Sequence, residues 1–508
     1  MKAITRGSAS EVRSRAHPGL LGRPHAETLS CQALREVENE LSHPLFHGVP
    51  LGPTLNDHLI RDLFNGNGDW RWRTRWLNRA RMARQWLRPQ RSSHTDLPPH
   101  GRIWITWLHS AARLTEMWLP VLDALEGHRC AVLCGAPGVS ARVPAGVSRI
   151  EWDQVLSYEA TGWRTEYRRC RPQWAARLKS LCRRYNLPAG AFELFALTLM
   201  IASRNVTNCI AFLEAARPAA IVTDYDRNQQ WSCIVLAARL LQIPTVTLVH
   251  GVMQRDAIGY APVLADRVVC WGELGRHKLL AAGEAPEKIL IGGCPRLVRD
   301  ISASAVDERA KLGLDPARSV VMFATSPEWQ RLELAELFCA SIEILGFVSG
   351  VVRLHPSEKL ATYSDVVRRH SRVRFVEGQG TSLDESLVSA DVVVVHGSGV
   401  GSDALVKRRP VVVLDVDAAL SGHNEDLVER AGCPHARTAD DLAAILRRIL
   451  LDEQYRLQLG STAEEYVKEF CCAFGMESAR RIAGIVSRLH ASGGAAGEGD
   501  AVPVASVR

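Results

Sequence analysis

The sequence of 508 residues lacks a hydrophobic run long enough to cross a membrane, and it lacks an apolar leader. A membrane-spanning helix needs about 20 mostly apolar residues. The nearest candidate, residues 192–202, is shorter and is typical of one face of a buried helix. The first 25 residues are polar and basic, without the apolar core of a secretory signal. We therefore expect a cytoplasmic protein, either free or attached peripherally to the inner face of a membrane.

The sequence also lacks a metal-binding or disulfide pattern of cysteines. Its 13 cysteines occur singly except for Cys471 and Cys472, and no two form a C-x-x-C pair. Cys130, Cys134 and Cys270 lie in apolar stretches, where a thiol packs as a small hydrophobic group. This distribution is typical of a reducing compartment. We predict no metal site and no required cofactor.

Positive charge is concentrated in one segment. Between Arg61 and Arg91 there are nine arginines and two aspartates, which equals the net charge of +7 of the whole chain. At helical spacing, one side of this segment carries Trp72, Trp76, Ala80, Ala83 and Leu87. A helix of this kind over residues 70–91, which also holds Trp70 and Trp86, suits an anionic membrane surface. Alternatively, the tryptophans pack on the first domain while the arginines face water.

We expect no nucleic-acid partner, because the rest of the chain offers no nucleic-acid motif.

From residue 101 onward, short apolar strands alternate with helices, which indicates parallel sheets covered on both faces. Two such series predict two doubly wound α/β domains of Rossmann type, whose strand carboxyl ends form a ligand crevice. We divide the chain into a disordered N-terminus (1–30), a helical, basic, tryptophan-rich extension with linker (31–100), a first Rossmann-like domain for the acceptor (101–296), an interdomain crossing (297–318), a second Rossmann-like domain for the nucleotide donor (319–451), C-terminal helices (452–491) and a disordered tail (492–508).

A glycine-rich loop, residues 396–403, follows an apolar strand and opens a helix. Its glycines allow a ligand to approach the backbone, and the helix start directs N–H groups towards an anion. The residues expected to bind a phosphate or ribose are Gly397, Ser398, Gly399, Ser402 and Asp403. The alternative is a tight strand–helix turn in which Asp403 interacts favourably with the helix dipole.

Two histidines follow other strands. His355 ends one strand and precedes Pro356, where it can bind a phosphate or a nucleotide base. His250 ends another strand, and a histidine there can take the proton of an acceptor hydroxyl. Asp224 and Asp226 are a second candidate base or an orienting partner for His250. For each residue the alternative is a structural hydrogen bond or, for the aspartates, a helix N-terminal position.

The order of several elements resembles bacterial GT-B enzymes of surface polysaccharide synthesis, in particular capsule polysaccharide transferases and CDP-glycerol glycerophosphotransferases. The matching elements, between residues 102 and 451, are TLVHG (247–251), VVCWGELGRHKLL (268–280), GGCPR (292–296), VRLHP (352–356) and VVVVHGSG (392–399). The resemblance implies that His250 is the acceptor base and His355 a nucleotide-phosphate ligand. It also implies that Ser398 and Gly399 contact the donor, with Glu273 and Arg296 near the cleft.

The chain also departs from these families. The glycerophosphotransferases carry Asp-Tyr-Ser-Ser where this sequence has Val-His-Gly-Ser-Gly (395–399). The loop is also similar to the Ser-Gly-Gly turn of non-hydrolysing UDP-N-acetylglucosamine 2-epimerases, although the two adjacent glutamates expected there are reduced to Asp403. We therefore expect a metal-independent glycosyltransferase that uses a CMP-, CDP- or UDP-linked donor and a glycan or lipid-linked acceptor. The alternatives are an epimerase of a UDP-sugar and a non-catalytic GT-B scaffold.

Overall fold

The computed structural model describes residues 35–55, 72–87, 97, 100–158, 162–187, 190–255, 257, 259–300, 303–326, 330–378, 382–416 and 423–495. The predicted disordered N-terminus, 1–30, lies outside these residues. The predicted disordered tail begins inside the last helix, which continues to Ala495, and residues 496–508 lie outside the described part of the chain.

The first sheet has seven parallel strands in the order β3-β2-β1-β4-β5-β6-β7. Most of these strands are continuous apolar runs, because both faces of a parallel sheet are covered by helices. Strand β1 pairs with β2 on one side and β4 on the other, so that Ile103 lies opposite Cys130 and Ala220. The strands are β1 (Ile103–Trp107), β2 (Cys130–Cys134), β3 (Ser148–Glu151), β4 (Ala220–Thr223), β5 (Thr245–Leu248), β6 (Arg267–Cys270) and β7 (Ile289–Ile291).

The second sheet has six parallel strands in the order β10-β9-β8-β11-β12-β13. Its central strand β11 consists of four valines, all buried, and pairs with β8 and β12. The strands are β8 (Val320–Ala324), β9 (Ser349–Arg353), β10 (Val373–Val376), β11 (Val392–Val395), β12 (Val411–Leu414) and β13 (His435–Ala436). The structure therefore confirms the predicted pair of Rossmann-like domains.

Helices cover both sheets. Those of the first domain are Ala112–Ala124, Trp152–Ser157, Trp163–Arg184, Ala191–Ala216, Gln229–Leu240 and Glu273–Ala281. Those of the second domain are Ala305–Lys311, Arg331–Leu345, Ser364–Arg369, Leu383–Ser389, Val400–Val406, His423–Glu429 and Ala439–Leu451. Two further helices, Glu453–Phe470 and Gly475–Ala495, end the described chain.

The last helix returns to the first domain. Its apolar residues Ile482 and Val486 are buried in the cluster that contains Ile105 of β1. Ser478 Oγ donates to the carbonyl oxygen of Gly292 at 2.9 Å, beside the end of β7. The C-terminal helices therefore connect the second domain to the first sheet.

The helix Ala191–Ala216 is longer than the sequence suggested. By length and composition alone its 26 residues are sufficient to cross a membrane, but 67% of the most apolar window is buried inside the protein. It also buries polar groups with internal partners: Ser203 Oγ donates to the Leu199 carbonyl at 2.7 Å, and Asn208 Nδ2 donates to the Leu156 carbonyl at 2.7 Å. These contacts are those of a core helix.

The basic segment contains the helix Trp72–Leu87, which packs along the helix Ala191–Ala216. The contact is made through Asn78, which is 1% exposed, and through an ion pair of 3.0 Å between Arg79 and the buried Glu193. Ala80 and Ala83 are exposed, so the packed side is not the apolar stripe that the sequence indicated. The side chains of residues 72–76 and 85–87 lie outside the description.

Residues 35–55 belong to the first core rather than to a separate layer. Their apolar side chains Val37, Leu41 and Phe46 are fully buried there. Glu38 forms a buried ion pair with Arg227, whose side chain is 0% exposed and which lies in the loop after β4. The N-terminal extension therefore anchors the loop that also carries Asp224.

Replacing Glu38 by Gln is expected to lower the free energy of unfolding by about 3–5 kcal/mol, because the carboxylate that forms the ion pair with the buried Arg227 is lost. Urea unfolding at pH 7 measures the change. Glu36→Gln is the matched control, since the Glu36–Arg184 pair is largely exposed to water and is worth less than about 1 kcal/mol. Equal stability of the Glu38 and Glu36 variants would contradict the assignment.

Candidate active site

The candidate residues follow the carboxyl ends of strands in both sheets. Asp224 follows β4, His250 follows β5 and His355 follows β9. The loop 396–403 follows β11 and touches the first domain: a Cβ built on Gly399 would lie 3.1 Å from Val252 Cγ2. The two sheets thus direct their carboxyl edges towards one cleft.

His250 is held in one tautomer. Its Nδ1 lies 2.6 Å from the backbone carbonyl oxygen of Asp224, which can only accept a hydrogen bond, so Nδ1 carries the proton. Burial and, to a smaller extent, the positive charge of Arg113 lower the pKa of His250 to about 3. The imidazole is therefore neutral at pH 7, with a lone pair on Nε2. Nε2 is the atom able to accept a proton.

Tyr260 also contacts His250. Its hydroxyl accepts the Gly251 N–H at 2.9 Å and lies 3.5 Å from Nδ1 of His250. The ring of Tyr225 meets the imidazole edge-on, with centroids 5.5 Å apart. These contacts fix the plane of the imidazole.

The carboxylate of Asp224 does not contact His250. It accepts the Leu108 N–H at 3.0 Å and the Trp231 Nε1–H at 2.9 Å. It is 1% exposed, and burial raises its pKa to about 7. The prediction that this carboxylate is a base or orients His250 therefore needs correction: Asp224 holds the imidazole through its backbone carbonyl, while its side chain anchors the loop after β1.

Asp226 is turned towards a different segment. Its Oδ2 accepts the N–H groups of Leu264 and Ala265, both at 2.9 Å, and burial raises its pKa to about 6. Asp224 and Asp226 therefore diverge and do not form a joint cation site. Within the described ranges, no group of three or more His, Cys, Asp and Glu side chains is arranged to hold a metal ion.

His355 has the opposite tautomer to His250. Its Nδ1 lies 2.7 Å from the hydroxyl oxygen of Ser357, which can donate or accept, and 3.2 Å from the backbone N–H of Ser357, which can only donate, so the proton lies on Nε2. Burial lowers the pKa of His355; Glu358 opposes this effect, and Arg113 and Arg353 add to it. The imidazole is therefore neutral at pH 7 and presents an N–H donor.

Glu358 fixes the backbone around His355. Its Oε2 accepts the His355 N–H at 3.1 Å, and its Oε1 accepts the Tyr363 hydroxyl at 2.8 Å. Residues 356–359 form a turn, followed by a short 3-10 helix, Leu360–Tyr363. Glu358 therefore connects the end of β9 to this 3-10 helix.

The first half of the loop 396–403 leaves backbone donors available. Gly397 has φ = +58°, a conformation that favours glycine, and its N–H donates to Asn424 Oδ1 at 2.8 Å. Ser398 Oγ accepts the Val400 N–H at 3.3 Å. The N–H groups of Ser398 and Gly399 donate no hydrogen bond to any residue that the structure describes. They are the loop's candidate ligand donors.

The second half of the loop is already occupied by protein contacts. The hydroxyl of Ser402 is buried 3.0 Å from the Tyr466 hydroxyl. Asp403 forms a bidentate ion pair with Arg296, at 2.7 and 3.0 Å, and both side chains are largely buried. The predicted roles of Ser402 on phosphate and of Asp403 on ribose therefore do not fit this geometry. Arg296 and Asp403 instead join the two domains at the cleft.

Glu273 lies apart from the other candidates. It begins the helix Glu273–Ala281, and its half-exposed carboxylate lies 3.2 Å from Arg276 one turn later. Among the described residues, its hydrogen bond and ion pair are with Arg276, which is not a candidate site residue.

Sequence reasoning missed the residues that follow β1. Arg113 is in the first turn of the helix Ala112–Ala124, and its positive charge adds to the burial that lowers the pKa of both His250 and His355. Glu116, one turn later, has its pKa raised by burial, while Arg296 opposes this effect. The signal that could have identified Arg113 and Glu116 is the position of β1. This strand lies in the interior of the sheet, next to β4, and such strands end at the crevice.

Further contacts join the domains beside the site. Lys278, on the helix after β6, forms a buried ion pair with Asp426 of the second domain and donates to the Met253 carbonyl at 2.7 Å. Arg255 pairs with Glu425 at 3.2 Å. Together with the pair between Arg296 and Asp403, these ion pairs hold the two sheets in one relative orientation.

No family model matches the sequence, and no curated protein sequence matches it. Solved structures are similar to this chain in fold. A putative UDP-N-acetylglucosamine 2-epimerase from Listeria monocytogenes has 12% identity and a TM-score of 0.50, over 77% of this chain and 96% of that one. HepE from Anabaena, in complex with UDP and glucose, has 14% identity and a TM-score of 0.48, over 76% and 100%. A glycosyltransferase from Rickettsia africae has 11% identity and a TM-score of 0.48, over 77% and 98%. With the two observed sheets, the Listeria likeness gives this chain the GT-B fold that the sequence predicted.

The low pKa of His250 makes a prediction about acid stability. Below about pH 6.5 the unfolded chain protonates this histidine, while the folded protein does not until about pH 3. Stability is therefore lost as the pH falls, by up to about 1.4 kcal/mol per pH unit. Relative to His250→Gln, the wild type is expected to lose stability steadily between pH 6.5 and pH 4.5.

Urea unfolding of both proteins across this range measures the difference. Asp224 titrates with the opposite sign, but it is present in both proteins and cancels in the comparison. His277→Gln, on an exposed position of the helix Glu273–Ala281, controls for the loss of a histidine. A difference between wild type and His250→Gln that does not change with pH would contradict the burial of a neutral His250.

Proposed function

We propose that the protein is a glycosyltransferase that moves a sugar or a polyol phosphate from a nucleotide-activated donor to a surface-glycan or lipid-linked acceptor. The observation that carries the proposal is the pair of neutral histidines in the cleft, one from each domain. His250 offers a proton-accepting Nε2, and His355 offers a proton-donating Nε2–H. Transfer from a phosphate-linked donor needs both kinds of group.

In the proposed reaction, Nε2 of His250 takes the proton of the acceptor hydroxyl as its oxygen attacks the donor. The bond between the transferred group and the nucleotide phosphate breaks, and its electron pair stays on the phosphate. Arg113 lowers the proton affinity of His250 in the free protein. A bound anionic donor offsets that charge and raises the pKa of His250, so the base becomes stronger when substrate is present.

The leaving phosphate is proposed to lie against the second domain. The Nε2–H of His355 and the N–H groups of Ser398 and Gly399 are the proposed donors to its oxyanion. Arg113 adds a positive charge from the first domain. We propose that no metal is needed at Asp224 and Asp226, because their carboxylates already accept N–H groups of the protein. Pyrimidine nucleotides, linked through CMP, CDP or UDP, are the proposed donors.

We also propose that the protein works in the cytoplasm and that the segment 70–91 contacts the anionic inner face of a membrane. In the described part of its helix, Arg81 and Arg84 are exposed, and Leu77 is 57% exposed. A peripheral contact of this kind would bring the cleft near a lipid-linked acceptor.

A second candidate function is that of a UDP-sugar 2-epimerase. The glycine-rich turn at 397–399 and the fold likeness to the Listeria protein favour it. An epimerase would convert a free UDP-sugar without an acceptor, whereas a transferase would leave the sugar's own stereocentres beyond C1 unchanged.

Nucleotide binding is expected to raise the melting temperature of the protein for one of CMP, CDP and UDP, and not for GDP or ADP. At a hundredfold excess over the dissociation constant, binding adds about 2.7 kcal/mol to the folded state. His355→Ala should abolish the increase, and His277→Ala should retain it. An equal response to all nucleotides, or an unchanged response in His355→Ala, would contradict the donor site.

His250→Ala is expected to lower the rate of transfer by about 10²–10⁴-fold while nucleotide binding stays within about twofold. The assay follows radiolabelled sugar from the stabilising donor into glycan or lipid extracts. A parallel incubation of UDP-N-acetylglucosamine alone, analysed for the C2 epimer, tests the second candidate. Full turnover by His250→Ala would disprove the proposed base, and epimer formation without acceptor would replace the transferase.

A further inference from the structure

A groove of the first domain is lined by none of the candidate site residues. Three helices form its walls: Trp72–Leu87, Trp163–Arg184 and Ala191–Ala216. Its volume is about 1130 Å³, slightly above the roughly 300–1,000 Å³ of typical small-molecule sites. The groove is therefore large enough for an extended amphiphilic ligand.

The rim of the groove is cationic. Five of its lining side chains are basic and one is acidic, and the single acid, Glu193, is paired with Arg79. Arg171 and Arg183 are exposed and form no ion pair with any described residue, and Lys179 lies 6.0 Å from the centre of the Phe192 ring. The basic residues of the rim are Arg79, Arg168, Arg171, Lys179 and Arg183. This rim is complementary to an anion.

The floor of the groove is apolar. Its accessible part is formed by the partly exposed side chains of Met82, Ala175, Phe192 and Ala196, while the apolar lining residues Leu178, Leu199 and Met200 are buried. Its large aromatic rings are not available for base stacking, since Trp174 is 2% exposed and Tyr167 is 4% exposed. Single-stranded nucleic acids stack their bases on accessible rings. An apolar floor beneath a cationic rim instead matches a phosphate headgroup attached to a hydrocarbon chain.

The groove lies along the N-terminal half of the helix Ala191–Ala216. The helix Ala191–Ala216 ends four residues before β4 begins, so it runs back past the whole strand. Its 26 residues span about 39 Å, whereas β4 spans about 13 Å. The lining residues Leu199 and Met200 directly follow Thr198, whose carbonyl oxygen accepts a hydrogen bond from Gln229 Nε2 at 3.2 Å. The groove therefore lies beside a helix that contacts the segment after β4.

We propose that this groove binds one anionic lipid of a membrane surface, with the phosphate on the cationic rim and the upper hydrocarbon chain on the apolar floor. The proposal extends the membrane contact proposed above from a basic helix to a defined lipid site. It is tested without any nucleotide, so its failure is distinguishable from failure of the proposed transfer reaction.

Flotation with vesicles of phosphatidylglycerol and phosphatidylcholine in equal parts, against vesicles of phosphatidylcholine alone, measures the binding. The full chain is expected to float with the anionic vesicles and to stay behind with the neutral ones. The triple variant Arg171→Gln, Lys179→Gln, Arg183→Gln is expected to bind roughly a hundredfold more weakly. The matched control removes the same charge from exposed sites of the second domain, Arg372→Gln, Arg374→Gln and Arg447→Gln, and is expected to bind within about threefold of wild type.

Ala196→Asp places a carboxylate on the half-buried floor while leaving the rim intact. It is expected to weaken vesicle binding at least tenfold, and Ala175→Asp repeats the test from the opposite wall if the first variant does not fold. Absence of flotation, or equal loss in the groove and control triples, would overturn the lipid site. Binding of a soluble polyglutamate peptide, dependent on the same three cations and without vesicle binding, would overturn it in favour of an acidic protein partner.

Discussion

The bidentate pair between Arg296 and Asp403 is the interaction on which the cleft depends. Each residue belongs to a different domain, and both side chains are largely buried. Removing either charge from water costs several kcal/mol unless its partner meets it, so the pair restricts the two sheets to arrangements that bring these residues together. In that arrangement the Gly399 loop lies against Val252, next to His250. The pair therefore determines which residues of the two domains can contact the same ligand.

Within that cleft, the backbone decides what each histidine does. A carbonyl oxygen places the proton of His250 on Nδ1, and an amide N–H places the proton of His355 on Nε2. Burial and the charge of Arg113 keep both rings neutral. Two identical side chains thus acquire opposite roles, one accepting a proton and one donating a hydrogen bond. The proposed transfer reaction uses this difference and adds the N–H groups of Ser398 and Gly399 for the leaving phosphate.

The sequence predicted the two sheets because their central strands are continuous apolar runs, and it predicted that His250 and His355 follow strands. It missed β3 and β13, which are edge strands: the first, Ser-Arg-Ile-Glu, buries only Ile150, and the second has two residues. It also predicted Asp224 as a second base or an orienting partner for His250, and Ser402 and Asp403 as ligand contacts. Their partners, Trp231, Tyr466 and Arg296, are 7 to 107 residues away along the chain, and no local pattern signals such contacts. Arg113 was missed because its role depends on the position of β1 in the sheet.

The protonation sites of the two histidines can be measured directly. Two-bond ¹H–¹⁵N correlation spectra of the protein labelled with ¹⁵N-histidine, assigned with His250→Gln and His355→Gln, distinguish the Nδ1–H, Nε2–H and doubly protonated forms. At pH 7 and without ligand, the account predicts a neutral Nδ1–H form for His250 and a neutral Nε2–H form for His355. A charged ring at either position, or the reverse assignment of tautomers, would contradict the arrangement of base and donor on which the proposed function depends.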